Sequence, residues 1–573
     1  TGMSDYEEAE DLASTIRIGG LNVELEEISS NVVGAQLGED AIQTSLLAGV
    51  IGLVIVCIFM CVVYLLPGFA SSIALIIYTG LILLLLNAFD ITLTLPGIAG
   101  IILGIGMAVD ANVIIFARVR EELSEGKAVQ TSLRAGFHKA MSAIVDGNVT
   151  TLIAAAVLWL RGSGTVRGFA QTLALGIVVS MFTALVITRL IIYAFYAVGI
   201  HNPKLYGKVR KARKPMDFLG KRKVFFIISL ILCVSGFVGM GINHGRGIGA
   251  MNYSLDFAGG SSTTVTFNEA YTLDEIDNEM IPALEDITGD NNIQVQTVKD
   301  SNDVVFKTQT LDLETRQEFE NYMNENYGVA AESIKTENIS STVSSEMRTD
   351  AVTAVVIATL CMLVYIWFRF KDIRFATSAV LALVHDVLVV LAFYVIARVP
   401  VGNTFIACML TIVGYSINAT IVIFDRIREE MKEKGANVDL KELVNKCITQ
   451  TLTRSIYTNL TTLIMVVALF VLGVSSIREF AAPLMVGIAC GAYTSVCITG
   501  ALWYVMKTRV GAKARAAARA IPVQETAAAS KEADAPQGQE NSAEAAAGSQ
   551  KNNTKSGTSK KKKKKHRRLR QGI

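Results

Sequence analysis

Eleven apolar segments long enough to cross a lipid bilayer punctuate the 573-residue chain, and they leave little choice of architecture. They lie near 43–66, 70–89, 97–117, 140–160, 168–196, 224–245, 350–368, 375–396, 404–424, 454–472 and 481–506. A hydrocarbon core of about 30 Å takes roughly 20 helical residues at about 1.5 Å each. Inside it a chain must satisfy its own backbone, as a helix does. With 51% hydrophobic and 18% charged residues, an all-soluble, collagenous or disulfide-scaffold fold is excluded. The expected class is an all-α polytopic membrane protein.

An odd number of spans puts the two termini on opposite sides. The loop 117–139 carries Arg118, Arg120, Lys127, Arg134 and Lys139, and the linker 201–223 carries nine bases against Asp217. Those loops share a side with the turn holding Arg369, Lys371 and Arg374 and with the tail run Lys560–Lys565. Residues 1–40, with ten acids and one Arg, fall on the other side, as does 250–346, with nineteen acids against four bases. The excess of Lys and Arg on cytoplasmic loops predicts a cytoplasmic C-terminus and an extracytoplasmic acidic domain. In that domain, strand patterns at Thr263–Phe267, Ile293–Val298, Val304–Lys307 and Ser333–Ile339 alternate with amphipathic stretches 272–286 and 311–327. The order β-α-β-β-α-β predicts a small α+β, ferredoxin-like layer. Residues 525–559, poor in anything that packs, read as disordered. The start at Thr1-Gly2-Met3 reads as a chain whose natural N-terminus lies further upstream.

The two halves repeat each other. Gly106–Glu122 aligns without gaps to Gly414–Glu430, with eight identities in seventeen, and Asn148–Ile153 matches Asn459–Ile464. Shared Arg, Glu, Asn and Thr are informative where shared Leu and Val are not. Repeats of this kind often bracket a transport site.

The chain at this point resembles bacterial SecD–SecF fusions, accessory subunits of the Sec protein translocase. The resemblance is carried by GMAVDANV (106–113), DGNVTTL (146–152), LDFAGGS (255–261), HDV (385–387), GYSIN (414–418), FDRIRE (424–429) and TLTRSIYTNLTT (451–462). It runs from about residue 8 to 508 and extends more broadly to the resistance–nodulation–division (RND) superfamily. It implies an RND-like pair of membrane repeats divided as 1–40, remnant of a first extracytoplasmic domain; 41–200, five SecD-like spans; 201–223, a basic linker; 224–245, the first SecF-like span; 246–348, the α+β domain; 349–508, five further spans; and 509–573, a disordered basic tail. It also implies that the first span and most of a large head are missing. As partners it implies the SecYEG channel, with YidC and SecA beside it, unfolded preprotein and the bilayer. The polybasic tail adds anionic lipid or the ribosome. One departure stands out: Ala419 occupies the position of an Asp in the family pattern S-I-N-D-T.

A carboxylate in hydrocarbon is costly enough to be a functional candidate by default. Asp110 sits alone in the uncharged run Pro96–Phe116. It reads either as an ion relay or as a static hydrogen-bond acceptor for a neighbouring Asn or Thr. Arg454 reads as a snorkelling anchor or as its cation, and the resemblance favours the second, making Asp110, Arg454 and Asn418 the expected proton relay. An ion pair between Asp110 and Arg454 across the repeats is the expected geometry. Asn112, Asp146, Asn148, Thr150, Asp386 and Asn459 are expected to line a supporting polar seam. Asp386 reads equally as a second relay group or a contact between halves, Asp146 as a capping or packing residue near a span end, and Asp425–Glu430 as a solvated charged face. Glycines 100, 104 and 106 are expected to open one helix face to close packing. The eight cysteines and five histidines read as buried small hydrophobes and scattered residues without a metal cluster. With no P-loop and no Ser–His–Asp arrangement, the expected role is non-enzymatic and cofactor-free, with energy drawn from an ion gradient. An exporter of drugs or lipids and a passive translocon scaffold are the competing readings.

Overall fold

A computed structural model describes residues 29–32, 35–91, 93–162, 164–207, 214–290, 293–298, 301–435 and 439–510. Residues 1–28 of the acidic start, 208–213 of the basic linker and the tail from 511 onward lie outside the described residues. Among the described residues, eleven helices are long and apolar enough to cross a membrane: Ile42–Tyr64, Leu66–Ala88, Pro96–Ser124, Val129–Arg161, Thr165–Ala197, Arg222–Gly245, Ser341–Phe370, Ile373–Ala397, Asn403–Lys434, Leu440–Leu472 and Ile477–Thr508. They are called the first to eleventh spans below. The third, fourth, ninth and tenth run well past their apolar windows, because an apolar window marks the hydrocarbon layer and not the helix end.

Side chains fix where several spans start. Thr94 accepts from Gly97 N at 3.1 Å before the third, with Pro96 in its first turn. Asp372 accepts from Arg374 N at 3.0 Å before the eighth, and Asp439 from Lys441 N at 2.8 Å before the tenth. Each side chain supplies an acceptor for one of the backbone N–H groups that a helix N-terminus leaves unpaired. The fifth and eleventh spans share a π-helical turn at matching places, Thr183–Ile187 and Ser495–Thr499, so the repeat extends to irregularities, and the eleventh ends in a second, Met506–Val510.

The third and ninth spans form the buried centre. The third packs on the tenth and the ninth on the fourth, in reciprocal fashion. A Cβ on Gly106 would lie 3.0 Å from Thr462 Cα, and one on Gly414 would lie 3.1 Å from Thr151 Cα. Gly414 and Thr151 are the repeat counterparts of Gly106 and Thr462. The expectation of a single glycine face is corrected. Gly100 and Gly104 approach Phe169 and the Tyr78 hydroxyl, whereas Gly106 approaches the tenth span. Six residues of α-helix rotate by about 240°, which takes Gly106 off the face of Gly100.

The acidic segment supplies four strands of a five-stranded antiparallel sheet, β2 Gly260–Thr266, β3 Gln294–Thr297, β4 Asp303–Thr308 and β5 Ile334–Ile339, which with β1 Ser29–Val32 takes the order β1-β5-β2-β4-β3. Helices Ile281–Thr288 and Leu313–Tyr327 cover it around Val265, Phe306, Phe319 and Met323. The four strands from this segment and their two helices follow the order expected from sequence, and the arrangement is consistent with a ferredoxin-like layer. The fifth strand was not expected. β1, Ser29–Val32, comes from the segment ahead of the first span and pairs antiparallel with β5, Ser29 opposite Ile339. Four residues without alternation carry no local signal for such an edge pairing.

The glycine contacts generate a test. Gly106→Val should push the halves apart and cost about 1–3 kcal/mol, the usual penalty of overpacking. Gly80→Ala, where a Cβ meets nothing within 4 Å, should leave the melting temperature in detergent unchanged. Equal effects of the two substitutions would refute the close-packing account.

Candidate functional site

Asp110 lies midway along the third span and is buried. Asn418 Nδ2 of the ninth span donates to its Oδ2 at 2.5 Å, and Thr458 Oγ1 of the tenth donates to its Oδ1 at 2.6 Å. Both donors come from the opposite repeat. In the repeat alignment Asn418 is the counterpart of Asp110 itself, so equivalent positions meet at the interface. The counterpart of Thr458 is Gly147, where any Cβ would overlap Asn418 Oδ1. Thus one side of the interface supplies a hydroxyl to Asp110, and the other supplies empty space for Asn418. A cavity about the size of one water adjoins the carboxylate, lined by Met107, Asp110, Ile144, Asn148, Tyr415 and Asn418.

Arg454 is buried one helical turn before Thr458, within electrostatic reach of Asp110. The expected direct ion pair is absent among the described residues. Asp110 is engaged by neutral donors instead, and Arg454 Nη2 is buried without a hydrogen-bond partner. The hydrogen-bonding partner that sequence reasoning missed is Thr458. It lies in the quoted TLTRSIYTNLTT stretch, and its i+4 spacing from Arg454 was the available signal.

The expected seam is only partly continuous. Asn148 and Asn459 donate back to their own helices, to Ile144 O at 2.8 Å and Ser455 O at 2.7 Å, and Thr150 donates to Gly147 O at 2.7 Å. Asn112 Oδ1 is buried without a partner. Asp146 is not a simple packing residue. Arg369 of the seventh span meets it at 2.6 Å and Tyr365 donates to it at 3.0 Å, a second bridge between halves.

Asp386 is fully buried but stays within the second half. Ser416 donates to it, as do Thr494 Oγ1 at 2.5 Å and Cys490 Sγ at 3.2 Å, and His385 Nδ1 lies 3.1 Å away. It makes no contact between halves, because the eighth span packs on the outer side of the ninth. The His385, Asp386 and Cys490 ligand atoms lie within 4.8 Å of one another, close enough to hold a metal ion. Hydrogen bonding to one shared carboxylate accounts for the cluster without one.

The charged residues in the last turns of the third and ninth spans are more than a solvated face: they pair with one another across the repeat. Arg118 meets Glu429 at 3.2 Å and Arg426 meets Glu121 at 3.0 Å, reciprocal pairs across the repeat. Arg118–Glu121 and Arg426–Glu429 close the square within each helix, both at 2.9 Å. Glu430, buried, is held by Lys446 at 2.9 Å.

Two membrane repeats that meet around the buried Asp110 carboxylate, with a small α+β domain on one side, define a two-halved polytopic membrane protein. The comparisons specify it further. The family model described as protein export membrane protein SecD/SecF, C-terminal, matches residues 17–197 and 319–509. The chain is 36% identical over 524 residues to the protein translocase subunit SecDF of Bacillus subtilis, covering 88% of this chain and 69% of that protein. It is 35% identical to SecDF of Thermus thermophilus, covering 89% and 68%. SecD of Acidaminococcus fermentans matches over 222 residues at 47%. A crystal structure of SecDF, described as a translocon-associated membrane protein from Thermus, superposes with a TM-score of 0.77 at 34% identity, covering 89% of this chain and 68% of that one. The chain belongs to the SecD/SecF family. It spans about two thirds of the length of its SecDF relatives.

Thr458→Val preserves shape and removes one of two donors to a buried carboxylate. It should lower stability in detergent by about 1–3 kcal/mol, whereas Thr458→Ser should not. Equal melting temperatures for Val and Ser would show that the hydroxyl does not serve Asp110.

Proposed function

We propose that the chain is a proton-driven accessory subunit of the Sec translocase in the bacterial plasma membrane, aiding export and membrane insertion of proteins. The observation that carries this reading is Asp110, buried between the repeats and bonded, among the described residues, to neutral donors of the opposite half, with Arg454 within electrostatic reach and its Nη2 buried without a hydrogen-bond partner. An ionised Asp110 ties the third span to the ninth and tenth through two charge-assisted hydrogen bonds. Protonation removes the charge that Asn418 and Thr458 serve and that Arg454 offsets, so the hold between the halves loosens. A group of this kind, alternately charged and neutral, converts ion passage into movement of one repeat against the other. The gradient available is worth about 2.3 kcal/mol per charge per 100 mV.

In this reading the basic loops and the tail face the cytoplasm and the α+β domain faces outward, where emerging polypeptide is met. The partners are the SecYEG channel, with YidC and SecA, and unfolded preprotein.

Asp110→Asn keeps the shape and removes the titrating group. Introduced into the full-length protein in export-competent membrane vesicles, it should abolish gradient-dependent stimulation of preprotein export with membrane levels unchanged. Wild-type stimulation would discard the relay and leave a passive scaffold. Stimulation that follows a sodium gradient and ignores a proton gradient would replace the ion.

A further inference from the structure

The ninth span, which carries Asn418 to Asp110 and Ser416 to Asp386, is gripped at its first residue by the α+β domain's leading segment. Asn403 opens the span. Its backbone N–H donates to Asp256 Oδ2 at 3.1 Å and its Nδ2 to Oδ1 at 2.9 Å. A carboxylate here meets the unsatisfied N–H groups and positive end of a helix of more than 30 residues. Burial pushes the Asp256 carboxyl above its ordinary range, and the Asn403 backbone bond draws it back down.

The grip is reinforced on both sides. Val401 N donates to Asn252 O at 2.7 Å and Ser254 N to Val401 O at 3.0 Å, so the two segments pair as backbone. Asn252 Nδ2 donates to Arg398 O at 2.9 Å, and the Arg398 guanidinium donates to Gly249 O and Ile248 O at 3.0 and 2.8 Å. Gly402 is a glycine for a steric reason: a Cβ would overlap Ser254 Oγ and crowd Asp256. The turn between the eighth and ninth spans is therefore laced to residues 248–256.

Asp256 stands four residues before β2, which lies between β5 and β4 in the sheet. In the other direction, Asn403 and Asn418 belong to one helix without an internal Pro or π-turn, and fifteen residues place them about 22 Å apart along its axis. A packed helix of that length moves as a rod rather than bending locally. Displacement at Asn418 reaches Asn403, and a two-point bond passes it to the strand.

We propose that Asp256 is a positioning residue that clamps the α+β domain to the ninth span, so that the ionisation state of Asp110 is transmitted to the domain through Asn403. The inference rests on the reading of Asp110 as the ion-carrying group, and the test separates the two.

Hydrogen–deuterium exchange by mass spectrometry on the full chain in lipid nanodiscs provides it, with Asp110→Asn as the permanently neutral site. With the clamp intact, Asp110→Asn should change exchange both around Asn418 and in residues 254–266. In an Asp256→Ala background, the change around Asn418 should persist and that in 254–266 should be lost. The exchange of partners Asp256→Asn with Asn403→Asp restores a two-point contact with reversed roles, and it should restore transmission. If Asp256→Ala does not fold, Asn403→Ala, which removes the side-chain bond and leaves the backbone one, should reduce the change in 254–266 without abolishing it, and an undiminished change there would overturn the proposal. A change in 254–266 that survives loss of the clamp overturns the proposal. So does a swapped pair that melts like wild type and fails to transmit. No change around Asn418 on Asp110→Asn would overturn the relay reading itself, and the clamp would then have nothing to pass on.

Discussion

The reciprocal contact of glycine with threonine backbone, Gly106 against Thr462 and Gly414 against Thr151, is the constraint on which the membrane core depends. Helices in lipid gain little from burying apolar surface against one another, because the solvent they leave is equally apolar. Close packing and polar contacts must hold them instead. With no side chain at Gly106 and Gly414, the third and tenth spans and the ninth and fourth approach until short polar side chains can bridge them. Asn418 and Thr458 reach Asp110 only because the backbones are that near. The charge square of Arg118, Glu121, Arg426 and Glu429 fixes the same interface at one end.

Most of the membrane architecture was legible because hydropathy reports directly on the solvent a helix sees. The interior contacts were less so. The third and ninth spans are apolar around their whole circumference apart from a few polar positions, and such a helix does not reveal which face meets which neighbour. The repeat alignment brought Asp110 and Asn418 into correspondence, yet that alignment could not say that counterparts touch. Thr458 was hidden among other threonines. Glu430 and Arg426 looked solvated because their partners, Lys446 and Glu121, belong to other helices. β1 was invisible for a related reason: edge pairing over some 300 residues leaves no trace in a four-residue string.

Around the ninth span, three carboxylates from three separate elements converge: Asp256 at its start, and Asp386 and Asp110 on its flanks. Among the described residues none of the three is met by Lys or Arg within ion-pair distance. Each is served by backbone N–H, amide or hydroxyl groups, with His385 beside one of them. Neutral donors satisfy a carboxylate's lone pairs without placing a full counter-charge beside it, whereas a guanidinium supplies both. Asp146, paired with Arg369, is the contrasting case.

The meeting of Asp110 with its own repeat counterpart bears on how such halves recognise each other. An interface built from two copies of the first half would set one Asp110 against another, two carboxylates competing for a single proton and repelling when both are charged. Two copies of the second half would join Asn418 to Asn418 and enclose no charge. Only unlike halves place a carboxylate opposite an amide donor, so one substitution at the centre of a near-symmetric surface penalises self-association of the first half and favours the mixed pair. Fusion into one chain supplies the same stoichiometry by covalent means. The asymmetry at 110 and 418 would serve equally where the halves are made as separate polypeptides that must find each other in the membrane.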